Sequence, residues 1–156
     1  MKTRQGFVSN SSSSSFVILG YQAGQEWTVE RMKDYYTGEP LVVDYDFGYT
    51  EFGWGPDKIT GFQSKVIFAY LQYLYVKDTH PEWLTMLEKV LKDNLGITTI
   101  EWVINTEMST DSGFAYIDHQ SASSEGENTE IFDNVEQLTR FIFNEGSYIV
   151  LDNDNH

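Results

Sequence analysis

THPEWLTMLEKVLKDNLGITTIEWVIN, residues 79–105, carries the pattern on which the fold turns: a capped helix, a glycine stop and an apolar strand. Thr79, His80, Pro81 and Glu82 have the form of a capping box with proline in the first turn. Trp83, Leu84, Leu87, Val90, Leu91 and Leu95 then recur at helical spacing, and Gly96 supplies the stop. Ile97 to Asn105 follows as a strand with Ile100, Trp102 and Ile104 on one face.

The same order of helix, glycine and strand occurs on either side. Thr28 to Thr37 places Val29, Met32, Tyr35 and Tyr36 on one helical face; Gly38 ends it, and Leu41 to Tyr45 is the strand. Asp133, Asn134, Val135 and Glu136 form a second capping box. The stripe Val135, Leu138, Phe141 and Ile142 follows, then Gly146 and a strand over Ser147 to Leu151. Residues 63–77, QSKVIFAYLQYLYVK, are apolar almost all round, the mark of the most buried helix. Residues 113–118, GFAYID, read as a strand that turns back on the preceding one across the polar loop 106–112. Residues 120–128, QSASSEGEN, read as a further loop. With Phe16 to Leu19 as the first strand, the order is β-α-β-α-α-β-β-α-β. The fold class is α/β, with α+β as the variant: one domain, residues 16–156, with helices packed on a mixed sheet of about five strands. Residues 1–15 form a Ser-rich tail outside it.

A chain of 156 residues that is 40% hydrophobic is long enough to bury a core. Its 4 Trp, 10 Tyr and 10 Phe serve either that core or an aromatic contact surface. A net charge of −14 repels phosphate backbones and anionic membranes, which excludes a general nucleic-acid-binding role and fits a basic protein partner, a cation site or a solvated surface. With no cysteine, disulfides, thiolate zinc sites and thiol nucleophiles are excluded. No stretch approaches the roughly 18 apolar residues of a membrane helix. Lys2 and Arg4 lead into serines where a secretion signal needs an apolar run. A soluble, cytoplasmic protein is expected.

Two groups of residues could carry function. Asp44, Asp46, Glu51 and Asp57 flank Tyr49, Phe52 and Trp54 in a glycine-punctuated segment, DYDFGYTEFGWGPD. Acidic groups beside exposed rings suit a basic partner through ion pairs and cation–π contacts; the plain reading is a loop folded onto the core by its own rings. Asp118, His119, Asp152 and Asp154 fall at strand ends, with His156 beyond. Carboxylates with imidazole suit Mn²⁺, Zn²⁺ or Fe²⁺, and a bound divalent metal would activate water for hydrolysis; the plain reading is a solvated chain end. If strand direction reverses once, Asp118 and Asp152 share one sheet edge and Asp44 and Asp46 lie on the other. No Gly-x-Ser-x-Gly elbow or phosphate loop is present, so no catalytic residue is assigned.

At the N-terminus, Arg4, Gly6, Phe7, Val8, Ser9, Asn10, the run Ser11, Ser12, Ser13, Ser14, Ser15, and Phe16 spell Arg-x-Gly-Phe-Val-Ser-Asn-(Ser)5-Phe. This opening resembles that of a set of uncharacterised phage and bacterial proteins, and YIDHQS at 116–121 and the DNDNH ending are similar to members of the same set. The resemblance implies no activity. The serines read as a linker, as a modification or processing site, or as packing against the first strand. The favoured expectation is a small non-enzymatic interaction protein that binds a basic partner, one version being competition with nucleic acid for a basic groove. The alternatives are a metal-dependent hydrolase and a minor virion component with a processed N-terminus.

Overall fold

The computed structural model describes residues 13–18, 40–48, 50–52, 57–104, 116–117, 127–144 and 146–153. Among them the mixed α/β content expected from the sequence is present as three α-helices, one 3₁₀ helix and seven short strands.

The centre is α1, Phe62–Val76. Its apolar residues occupy every face, and Phe62 and the whole run from Lys65 to Gln72 are buried. A helix of that kind cannot lie on a surface. It packs against α2, Glu82–Leu95, and α3, Val135–Phe143. In α2 the buried residues Trp83, Leu87, Val90, Leu91 and Leu95 follow the expected stripe. Gly96 closes the helix at φ 72°, its N–H donating to the Lys92 carbonyl (2.9 Å), which is the left-handed stop that glycine adopts without strain. In α3 the buried residues are Leu138, Phe141, Ile142 and Phe143. The 3₁₀ helix Glu127–Phe132 adds Ile131 and Phe132 to the same core.

Both expected capping boxes are rewritten. The Thr79 hydroxyl donates back to the Val76 carbonyl (3.1 Å), and the Glu82 carboxylate meets the His80 ring at Nδ1 (3.0 Å), so α2 starts without a side-chain cap. At α3 the cap is Asn134 rather than Asp133: its side-chain oxygen accepts the Gln137 N–H (2.8 Å), while Glu136 faces Arg140 one turn on.

The strands form three small sheets where the sequence suggests one of about five strands. In the first, β7 (Tyr148–Asn153) lies between β1 (Ser13–Ile18) and β4 (Asp57–Ile59), antiparallel to both. The second pairs β2 (Leu41–Val43) with β5 (Ile100–Trp102) in parallel, as the helical crossover through α1 and α2 requires. The third pairs β3 (Glu51–Phe52) with β6 (Tyr116–Ile117), also in parallel. Strands β5 and β6 therefore pair with β2 and β3 rather than with each other. Strand β1 begins at Ser13, three positions before Phe16, with Ser13, Ser14 and Ser15 in register with Asn153, Asp152 and Leu151. The expected helix over residues 28–37 lies outside the described residues.

Candidate functional site

The acidic segment starts where β2 ends. Asp44 stops the strand because its side-chain oxygen accepts the Asp46 N–H (3.0 Å) while its carbonyl accepts the Phe47 N–H (3.0 Å). An aspartate that bonds its own backbone two residues on makes the chain turn instead of extending the ladder. Asp46 is exposed and Asp44 half-buried, while Tyr45 and Phe47 pack onto the core, Phe47 edge-on to Phe62 at 6.4 Å. Behind the turn, Gly48 lies against the first turn of α1. A β-carbon at Gly48 would stand 2.8 Å from the Gln63 carbonyl carbon and from the Ser64 nitrogen, so only glycine allows this approach. The acidic turn is thus anchored to the most buried helix.

Phe52, expected in the contact surface, belongs to the core instead. It is wholly buried and meets Phe68 edge-to-face at 5.1 Å. Its segment pairs as β3 with β6, so the ring is covered rather than presented. Glu51 and Asp57 hold backbone positions in β3 and β4, opposite Tyr116 and Leu151. Tyr49 and Trp54 lie outside the described residues.

The positive charges are arranged differently from the negative ones. Lys65 is fully buried, its Nζ donating to the Asn144 and Ser147 carbonyls (3.0 Å each). Lys89 pairs with Asp93 (2.8 Å), Lys92 approaches Glu88 (3.9 Å), and Arg140 approaches Glu136 (3.5 Å). Lys58 lies over the Tyr148 ring, 4.2 Å from its centroid. Among the described cations Lys77 is exposed outside these contacts, as Asp46, Glu101, Glu130 and Asp133 are among the acids.

Two aromatic stacks stiffen the frame. Trp83 lies between Phe132 (4.3 Å, interplanar 4°) and His80 (4.6 Å, 12°). Tyr70 stacks on Trp102 (4.2 Å, 6°), whose indole N–H donates to Glu88 (2.8 Å). Burial, then the neighbouring Tyr73 and Glu88, push the Tyr70 hydroxyl above its ordinary pKa. The Glu82 carboxyl is held below its ordinary value by its own backbone N–H and then by His80.

Of the metal-ligand candidates, Asp118, His119 and Asp154 lie outside the described residues, and position 152 is fixed only as the backbone partner of Ser14. Among the described residues no group of three or more histidines and acids could hold a metal ion. Ser11 and Ser12 also lie outside the described residues, whereas Ser13, Ser14 and Ser15 are strand positions. No described helix is long and apolar enough to cross a membrane.

The sequence reading missed Lys65 and Asn144. A signal for Lys65 existed: it is the only charged residue in an otherwise apolar helix, FQSKVIFAYLQYLYV. A lone lysine in such a helix must find carbonyl or carboxylate acceptors inside the fold. No family model matches the chain, and no curated protein or solved structure matches it either.

Proposed function

We propose that this chain is a non-enzymatic interaction protein whose acidic surface engages a basic protein partner. The observation that carries the reading is the disposition of charge: of the described cations, all but Lys77 lie in the core, in pairs along their own helices or over a ring, while Asp46, Glu101, Glu130 and Asp133 are exposed. With a net charge of −14, the resulting field attracts a basic surface from a distance and repels nucleic acid. The Asp44–Asp46 turn, anchored through Gly48, offers part of that charge in a fixed geometry, so little order is lost on binding. Dense fixed negative charge suits a groove that normally holds phosphate backbones. The favoured partner is therefore a nucleic-acid-binding protein, with this chain as competitor for its groove. The N-terminal resemblance to phage and bacterial proteins is in keeping with a bacterial host as the source of that partner.

The test compares capture of proteins from a bacterial lysate by the native chain and by the D44N/D46N variant. Asparagine at position 44 retains the oxygen that accepts the Asp46 N–H, so the turn is kept while two charges are removed. Reduced retention of the same proteins is expected; equal retention at every salt concentration argues against a role for this turn.

A further inference from the structure

We infer that the outer face of the β2–β5 pair is the docking surface for the basic partner, and that it takes a segment presenting a lysine or arginine between apolar side chains. The inference rests on the proposed function and gives its partner a place on the fold.

Parallel strands are ordinarily covered on both faces, and strands covered in that way read as near-continuous apolar runs. Both strands read so: Leu41, Val42 and Val43 include no polar residue, and residues 100–104, IEWVI, include only Glu101. The core takes one face. Leu41, Val43 and Ile104 are buried, and Ile100 and Trp102 pack against them. The alternate positions project the other way. There Val42 is 40% exposed and Val103 48% exposed, with Glu101 exposed as well. Two strands with the sequence of doubly covered elements therefore hold one face open to solvent.

The register makes these three side chains neighbours. Val42 lies opposite Glu101 in the ladder, and Val103, whose N–H donates to the Val43 carbonyl (2.8 Å), is two positions along from Glu101. A carboxylate thus stands beside two β-branched apolar groups. Strand β2 runs directly into the Asp44–Asp46 turn, so the face borders that acidic turn.

This combination selects the occupant. A purely apolar cover would bury the Glu101 carboxylate without a partner, which is strongly unfavourable. A second copy of this chain would set glutamate against a surface of like sign, with a net charge of −14 on each side. A segment with apolar groups for Val42 and Val103 and a cation for Glu101 meets both demands, and further basic residues reach the Asp44–Asp46 turn.

The test is ¹⁵N NMR titration of the full chain with the peptide acetyl-VSKSVSK-amide, in which valine and lysine share one face of an extended strand. Acetyl-SSKSSSK-amide, of equal charge, is the counterpart without the apolar groups. Saturable shifts are expected at the Val42, Glu101 and Val103 amides with the first peptide, and binding about tenfold weaker with the second. V42T/V103T keeps the β-branched shape and removes a methyl from each side chain; it should weaken the first peptide about tenfold. E101Q, at an exposed position, should weaken it about threefold and flatten its salt dependence. Equal affinity for the two peptides, shifts confined to the Asp44–Asp46 turn, or no shift at millimolar peptide overturns the inference. In the lysate capture, equal retention by V42T/V103T and the native chain overturns this surface alone, whereas an empty capture by the native chain overturns the proposed function itself.

Discussion

Lys65→Met isolates the contribution of a charged head in the middle of the core. The substitution keeps most of the stem that packs inside α1 and removes the Nζ donor from the Asn144 and Ser147 carbonyls. The Asn144 carbonyl retains the Ser147 N–H (2.9 Å) when the lysine head is removed. Depriving a buried acceptor costs about 1–3 kcal/mol. Against this stands the desolvation of the lysine head, and exchanging buried charged groups for apolar ones can stabilise by about 1–4 kcal/mol. Here both bonds are short and both acceptors sit where α3 turns into β7, so the donor is expected to win by about 1–2 kcal/mol. Lys65→Ala also removes three methylene groups at about 0.8 kcal/mol each, for a total near 3–5 kcal/mol. Urea unfolding reads both as lower midpoints at unchanged slope, and amide exchange near Ser147 should accelerate in the methionine variant. A methionine variant as stable as the parent or more so would refute this reasoning, because Lys65 would then be merely tolerated.

Three further outcomes follow from the same geometry. Gly48→Ala forces a β-carbon to 2.8 Å from backbone atoms of Gln63 and Ser64, which cannot rotate away; a loss of about 2–3 kcal/mol is expected in the same unfolding assay. The lowered Glu82 pKa adds stability that is present above the ordinary glutamate value and lost as pH falls through the folded value. Urea midpoints on the acid side should therefore fall less steeply with pH in Glu82→Gln than in the native chain. The raised Tyr70 pKa works in the opposite sense, with stability complete below the ordinary tyrosine value and lost as pH rises through the folded one. Absorbance titration should show a late-ionising tyrosine that Tyr70→Phe removes.

What the sequence made legible was its strongly periodic part. The α2 stripe, the Gly96 stop, the burial of α1 and the Phe141–Ile142 stripe are all present, since each follows from many residues pointing the same way. The capping boxes were less secure because a cap depends on a single hydroxyl or amide, and Thr79 and Asp133 each lost to a competing local bond. Strands of two or three residues such as β3 and β4 have too little alternation to be distinguished from a loop rich in glycine and aromatics. At the candidate site, acidic type and spacing were readable at Asp44 and Asp46. The burial of Phe52 was not, because it depends on Phe68 from a helix distant in sequence. Serines at 13–15 read as part of the Ser-rich tail because their β partner, positions 151–153, lies at the far end of the chain.

In the proposed function, an acidic surface binds a basic protein in place of nucleic acid. Its most direct test is capture of bacterial proteins on the immobilised chain at low ionic strength, followed by elution with excess duplex DNA. A basic protein should be retained, duplex DNA should displace it, and raising salt toward about 0.5 M should release it as the charges are screened. An empty low-salt capture, or a protein that stays bound through both salt and duplex, would contradict it.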